Sequence, residues 1–323
     1  VTSRGVVEVD GMRVTVFGGT GFVGRRLCAE LADAGADVLC VSRNPAPRDA
    51  AGESRGHRSL ALDLSTGPVG EVAALLAAER PAVVVNATGG IWGLTDRQMD
   101  AGCAEPTRRL VAALAQASWR PRYVHLGSVL EYGPIPRGGR THPDLPALPD
   151  TAYGRAKLAA TREVLAASRS GAIDAVVLRI ANVAGPGTPA ISLLGRVAGQ
   201  LAAVRAGGDP VVELAPLRAH RDYVDVRDVV AAVVASFRAP VAGRTVDIGR
   251  GEAVSVRALV LRLIEASEVP ARLVETASAA GVAEDWLRVD PEPARKLLGW
   301  RAQRSLAESV RALWAEYRSV HVG

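Results

Sequence analysis

From Arg13 onward, short apolar runs alternate with longer stretches in which apolar positions recur at helical spacing. Val14, Val16 and Phe17 form a β-type run that leads into a glycine turn at 18–24, and Val23, Leu27, Leu31 and Ala34 then recur every three or four residues until Gly35. A second β-type run at 38–42 follows at once, completing a βαβ unit. Further apolar runs at 60–62, 82–86, 123–126 and 175–180 are separated by Ala/Leu-rich segments that predict helices at 70–79 and 106–117. Strands alternating with helices imply a parallel sheet. The proline-rich stretch 133–149 has little periodicity and reads as a surface loop. Beyond Ala181 the pattern loosens around the Gly/Pro clusters at 185–189 and 207–210, where a smaller lobe is expected.

Composition agrees with this pattern. In 323 residues, 48% hydrophobic content fills a sizeable core, and an aromatic share of only 4% leaves Ala, Val and Leu to do so, as suits helices packed on a buried sheet. The net charge of +5 comes from basic residues scattered singly and in pairs, such as Arg25-Arg26 and Arg108-Arg109. With no basic run and no interleaved aromatics, nucleic-acid binding is not expected, whereas an anionic small ligand is served equally well. Cys28, Cys40 and Cys103 have neither disulfide-framework nor metal-ligand spacing, so no metal is expected. No stretch is long and apolar enough for a membrane span or a signal-peptide core, and the expected location is the cytoplasm.

The turn Gly18-Gly19-Thr20-Gly21-Phe22-Val23-Gly24 spaces glycines as G-x-x-G-x-x-G between a strand and a helix. The first allows the tight turn, the second lets backbone N–H groups approach a pyrophosphate, and the third lets helix pack on strand. This predicts an α/β, Rossmann-type doubly wound sheet that binds a dinucleotide. At the end of the second strand, where an acidic residue would bind the ribose 2′-hydroxyl of NAD, stand Ser42 and Arg43. No carboxylate repels a 2′-phosphate there, and a forked guanidinium suits one, so NADP (NADPH) is the expected cofactor.

Tyr153 and Lys157 stand four residues apart, on one face of a helix. Lys157 and Lys296 are the only lysines in a chain that otherwise uses Arg, and a compact ammonium is not replaceable by guanidinium in a confined site. The nearby cation is expected to lower the phenol's pKa toward the working range of a general acid or base.

With these residues, the chain resembles the extended short-chain dehydrogenase/reductase family, the nucleotide-sugar epimerase, dehydratase and reductase group, from about Arg13 to about Leu313. The resemblance also rests on Leu62-Asp63-Leu64, Asn86-Ala87-Thr88-Gly89, Gly127-Ser128-Val129-Leu130-Glu131-Tyr132-Gly133, Leu178-Arg179-Ile180-Ala181-Asn182-Val183, the segment 221–228 and Leu298-Gly299-Trp300. It implies that Gly18, Thr20, Gly21, Phe22, Val23, Gly24, Ser42, Arg43, Asp63, Leu64, Ala87, Thr88 and Gly89 hold the cofactor, with Asp63 near adenine and Tyr153 and Lys157 beside the nicotinamide. Tyr153 would donate a proton to the substrate oxygen, Ser128 would hold that oxygen, and Lys157 would bind the nicotinamide ribose. Trp92, Ser128, Val129, Asn182 and Arg221 would contact the substrate, and a homodimer is expected.

Departures from the family narrow the reaction. Val129 and Leu130 stand where nucleotide-sugar 4,6-dehydratases carry an Asp-Glu pair, and Val129 and Gly187 stand where epimerase-reductases carry a cysteine and a histidine. The expected function is therefore NADPH-dependent reduction of a nucleotide-linked ketosugar, a 4-keto-6-deoxyhexose of deoxysugar biosynthesis. The alternatives are a 4-epimerase, a reductase of a non-sugar carbonyl and a non-catalytic NADP-binding sensor. The expected organisation is a tail at 1–11, a cofactor domain at 12–180 plus about 221–250, and a smaller C-terminal substrate-binding lobe at about 181–220 plus 251–323.

Overall fold

The computed structural model describes residues 7–44, 56–91, 93–276 and 285–321. The first half alternates β1 (Arg13–Phe17), α1 (Phe22–Asp33), β2 (Asp37–Ser42), β3 (Arg58–Ala61), α2 (Val69–Glu79), β4 (Val83–Asn86), α3 (Asp96–Ala115), β5 (Arg122–Ser128), α4 (Ala152–Arg169) and β6 (Asp174–Ile180). These strands and the later β10 (Arg244–Ile248) form a seven-stranded sheet in the order β10-β6-β5-β4-β1-β2-β3, paired in parallel throughout. Successive residues enter opposite cores, as a strand's period of two requires when both faces are covered. Val14, Val16, Val38, Cys40, Val83 and Val85 join one core, while Phe17, Leu39, Val41 and Val84 join the other, beneath α2 and α3.

The chain then builds β7 (Asn182–Ala184), α5 (Leu193–Arg205), β8 (Val211–Leu214), β9 (His220–Asp225), α6 (Val226–Ala235), and, after β10, β11 (Ala253–Ser255), α7 (Val256–Ser267), β12 (Arg272–Glu275), α8 (Glu292–Leu298) and α9 (Leu306–His321). A three-stranded sheet, β11-β9-β7, and a two-stranded sheet, β12-β8, accompany a third core between α5, α7 and α9.

Four expectations are revised. β9 pairs with β7 in the three-stranded sheet while β10 joins the large sheet, so the segment at about 221–250 is divided between two sheets. In the other direction, Ala294, Leu298 and Trp300 join the main core beneath the large sheet. The helix expected from Pro106 starts at Asp96: Thr95 Oγ1 accepts from the Gln98 backbone while Gln98 Oε1 accepts from the Thr95 N–H, a capping box that starts the helix ten residues earlier and leaves Pro106 inside it. The tail is not wholly free of the fold, since Val9 is buried in the main core. Among the described residues no helix is long and apolar enough to cross a membrane.

Candidate active site

Strand order reverses between β1 and β4, and a crevice opens beyond their carboxyl ends, the usual ligand site of a doubly wound sheet. The glycine turn occupies its floor. A Cβ on Gly24 would lie 2.2 Å from the Gly18 carbonyl oxygen, so only glycine lets α1 start this close to β1. Gly21 caps α1 with no side-chain hydrogen bond, leaving the helix N-terminus to backbone N–H groups aimed at the crevice.

The crevice is a cavity of about 420 Å³. It brings together Gly18, Thr20 and Gly21 of the turn, Ser42 and Arg43 after β2, Asp63 and Leu64 after β3, and Ala87, Thr88 and Gly89 after β4. Phe22, Val23 and Gly24 sit in the first turn of α1, and Val23 packs against the main core. Asp63 is held by Ser65, whose N–H and hydroxyl both donate to Oδ1 at 2.8 and 2.6 Å. These bonds, with a smaller contribution from Arg43, hold its carboxyl below the usual range. Ser42 Oγ is buried and has no hydrogen-bond partner among the described residues. A buried, unpartnered hydroxyl beside an exposed arginine fits a polar ligand group at the end of β2. The cavity lining thus fits a dinucleotide.

Lys157, 3% exposed, reaches from α4 under the crevice and donates to the Thr88 carbonyl and the Leu126 carbonyl, both at 2.9 Å. Its Nζ lies 5.9 Å from the centre of the Tyr153 ring. The ammonium therefore faces the ring rather than serving the phenolic oxygen, and the expected lowering of the phenol's pKa is not found. Burial pushes the Tyr153 phenol well up, with Cys103 and Glu131 adding to the effect. Ser128 ends β5, and its Oγ accepts from the Leu130 N–H at 3.2 Å.

The substrate-side residues are placed less uniformly. Val129 is fully buried in the main core, so the structure does not present it to a substrate as expected. Asn182 opens β7 opposite Tyr223 of β9. Arg221 of β9 pairs with Asp285 and donates to the His220 carbonyl. Burial lowers its pKa, while Tyr223 and Asp150 oppose that shift. Neither Asn182 nor Arg221 lines the dinucleotide cavity. Trp92 lies outside the described residues.

Two contributors escaped the reading of the sequence. Gln98 lines the cavity from α3, and the capping box that places it was concealed by Pro106. Asn86, fully buried, accepts from the Thr88 N–H and hydroxyl and donates to Thr107 and Tyr123. It thereby fixes the loop whose carbonyl receives Lys157. The Asn-Ala-Thr-Gly segment was legible as a motif, but its partners on α3 and β5 were not.

Comparison with known proteins agrees with this architecture. The curated dTDP-6-deoxy-L-talose 4-dehydrogenase (NAD(P)(+)) of Kitasatospora kifunensis is 44% identical over 305 residues, covering 94% of each chain. The GDP-6-deoxy-D-mannose reductase of Pseudomonas aeruginosa is 25% identical over 217 residues, covering 66% of this chain and 71% of that one. Among solved structures, MoeE5 in complex with UDP-glucuronic acid and NAD superposes with a TM-score of 0.81 at 26% identity, covering 95% of this chain and 99% of that one. The model of the NAD dependent epimerase/dehydratase family matches residues 14–249, and the chain belongs to that family.

Proposed function

We propose that this protein interconverts a ketone and an alcohol on the 6-deoxyhexose of a nucleotide sugar, at C4, and that it works as an NADPH-dependent reductase. The observation that carries the reading is the placement of Lys157, whose ammonium ties the loop bordering the dinucleotide cavity to the strand that ends in Ser128. Tyr153 stands one turn before Lys157 on the same face of α4, and we read it as the group facing the reacting carbonyl. A bound nicotinamide dinucleotide supplies the hydride. Ser128 donates a hydrogen bond to the ketone oxygen, and Tyr153 gives it a proton. The phenol is protonated at neutral pH, the state from which a proton donor starts. Lys157 holds the ribose side of the cofactor and the register of α4.

The dTDP-linked 6-deoxyhexose is the preferred substrate class, since the 44% identical relative is named for one and for position 4. Arg43 and the unpartnered Ser42 hydroxyl support NADPH over NADH. Mixing the protein with NADPH and a dTDP-4-keto-6-deoxyhexose should consume the dinucleotide in proportion to sugar alcohol formed. Tyr153→Phe should abolish turnover while NADPH still binds. Unchanged turnover in that variant, or no NADPH consumption with any nucleotide 4-ketosugar, refutes the proposal. A 4-epimerase would convert the sugar with no net change in dinucleotide.

A further inference from the structure

Directly behind Ser128 lies a carboxylate with no part in the chemistry above. Glu131 closes the 3-10 turn Val129–Glu131 that follows β5, and its side chain is 0% exposed. Its Oε1 accepts from the Ser128 N–H at 2.8 Å and from the Thr161 hydroxyl at 3.0 Å, and its Oε2 accepts from Arg179 Nε at 2.8 Å. Each donor comes from a different element: the end of β5, α4, and β6.

We infer that Glu131 is a positioning residue that acts through Ser128, an inference that rests on the reading of Ser128 proposed above. Three features carry it. First, Ser128 and Glu131 cap the turn reciprocally: the carboxylate takes the Ser128 N–H while Ser128 Oγ accepts from the Leu130 N–H. That contact occupies a lone pair of Oγ and leaves the hydroxyl proton to be donated to a substrate oxygen. Second, Thr161 follows Tyr153 and Lys157 at successive four-residue intervals, so all three lie on one face of α4. Through Thr161 the carboxylate ties Ser128 to the face that presents the other two groups. Third, the charge is expensive to bury and is compensated by Arg179, itself 5% exposed. Strand β5 also makes room for the carboxylate, since a Cβ on Gly127 would lie 2.5 Å from Glu131 Oε1.

A double-mutant cycle on the full chain, with NADPH and a dTDP-4-keto-6-deoxyhexose, tests the inference. Ser128→Ala should lower kcat about 100-fold, the usual scale for losing a donor to the reacting oxygen. Glu131→Ala should lower kcat about 30-fold with KM and NADPH affinity within about twofold, as expected for a group acting only in the transition state. Residues acting as a unit are non-additive, so the double variant should fall no more than about twofold below Ser128→Ala. Glu131→Gln keeps an oxygen facing Ser128 but turns an amide donor toward Arg179, and should recover part of the loss. Should Glu131→Ala fail to fold, Glu131→Asp keeps the charge for Arg179 but is one methylene short, and should show the same non-additivity. Additive losses, unchanged kcat in Glu131→Ala and Glu131→Asp, or a matching loss of NADPH binding overturn the inference while leaving the reading of Ser128 intact. A silent Ser128→Ala variant overturns both.

Discussion

Arg43 leaves the end of β2 at the surface, next to a carboxyl that Ser65 holds ionised and a buried hydroxyl that lacks a partner among the described residues. A 2′-phosphate placed there would receive the guanidinium's forked donors, and charge-assisted bonds of that kind are each worth about 1.5–3 kcal/mol. Arg43→Ala should therefore weaken NADPH binding by about tenfold or more and NADH binding by less than about twofold. Fluorescence titration with both dinucleotides checks this, and equal losses would reassign the cofactor preference. At this scale the sequence was informative about residue types and weak on what surrounds them. The spacing of Tyr153 and Lys157 was plain, but the protonation behaviour of the phenol was not. Lys157 turned out to serve two carbonyls, and burial dominates the Tyr153 pKa.

Elements place these residues, and the tightest placement is where α1 meets β1. The approach of Gly24 to Gly18 at the first turn leaves no room for a methyl group. Gly24→Ala should push α1 off the turn, misdirect the N–H groups at its start and weaken NADPH at least tenfold, an effect of about 1.4 kcal/mol or more. Stability should fall by about 1–3 kcal/mol, the usual cost of overpacking. Dinucleotide titration and thermal unfolding together read both, and a variant with native affinity would remove the turn from the binding site. The glycine spacing made this element legible without any structure. α3 was only half legible, because a proline read as a helix start sits ten residues inside it, and the decisive Thr95–Gln98 cap is a pair of polar residues without apolar periodicity.

Across the whole molecule, the segment 133–149 is more than a surface connection. Thr141, fully buried, donates to Asp247 on β10 at 2.8 Å, and Tyr132 donates to the same carboxylate at 2.9 Å. The Tyr132 ring carries the Arg179 guanidinium 4.6 Å from its centre, which continues the cluster to Glu131 and Ser128. Burial pushes the Asp247 carboxyl up to about 6. A carboxyl that binds its proton more tightly when folded favours the folded state as pH falls, so its contribution is lost as pH rises from about 4 through about 6. Asp247→Asn removes that dependence. Relative to the parent protein, the variant should gain about 2 kcal/mol between pH 4.5 and pH 7.5, measured by denaturant unfolding at both. A pH-independent difference would show that the cluster does not titrate in that window.

By itself the sequence determined the order of the main strands and helices up to Ile180, the glycine turn, and the four-residue spacing of Tyr153 and Lys157, because those signals are local: periodicity, turn chemistry and fixed spacing within one element. Only the tertiary structure decided that β9 leaves the large sheet for the small one, that Val129 faces the core, and that Glu131, Thr161 and Arg179 meet behind Ser128. Those facts depend on which strands pair and which faces meet across long sequence separations. Burial and desolvation, set by that same packing, then govern the charge of the groups it encloses.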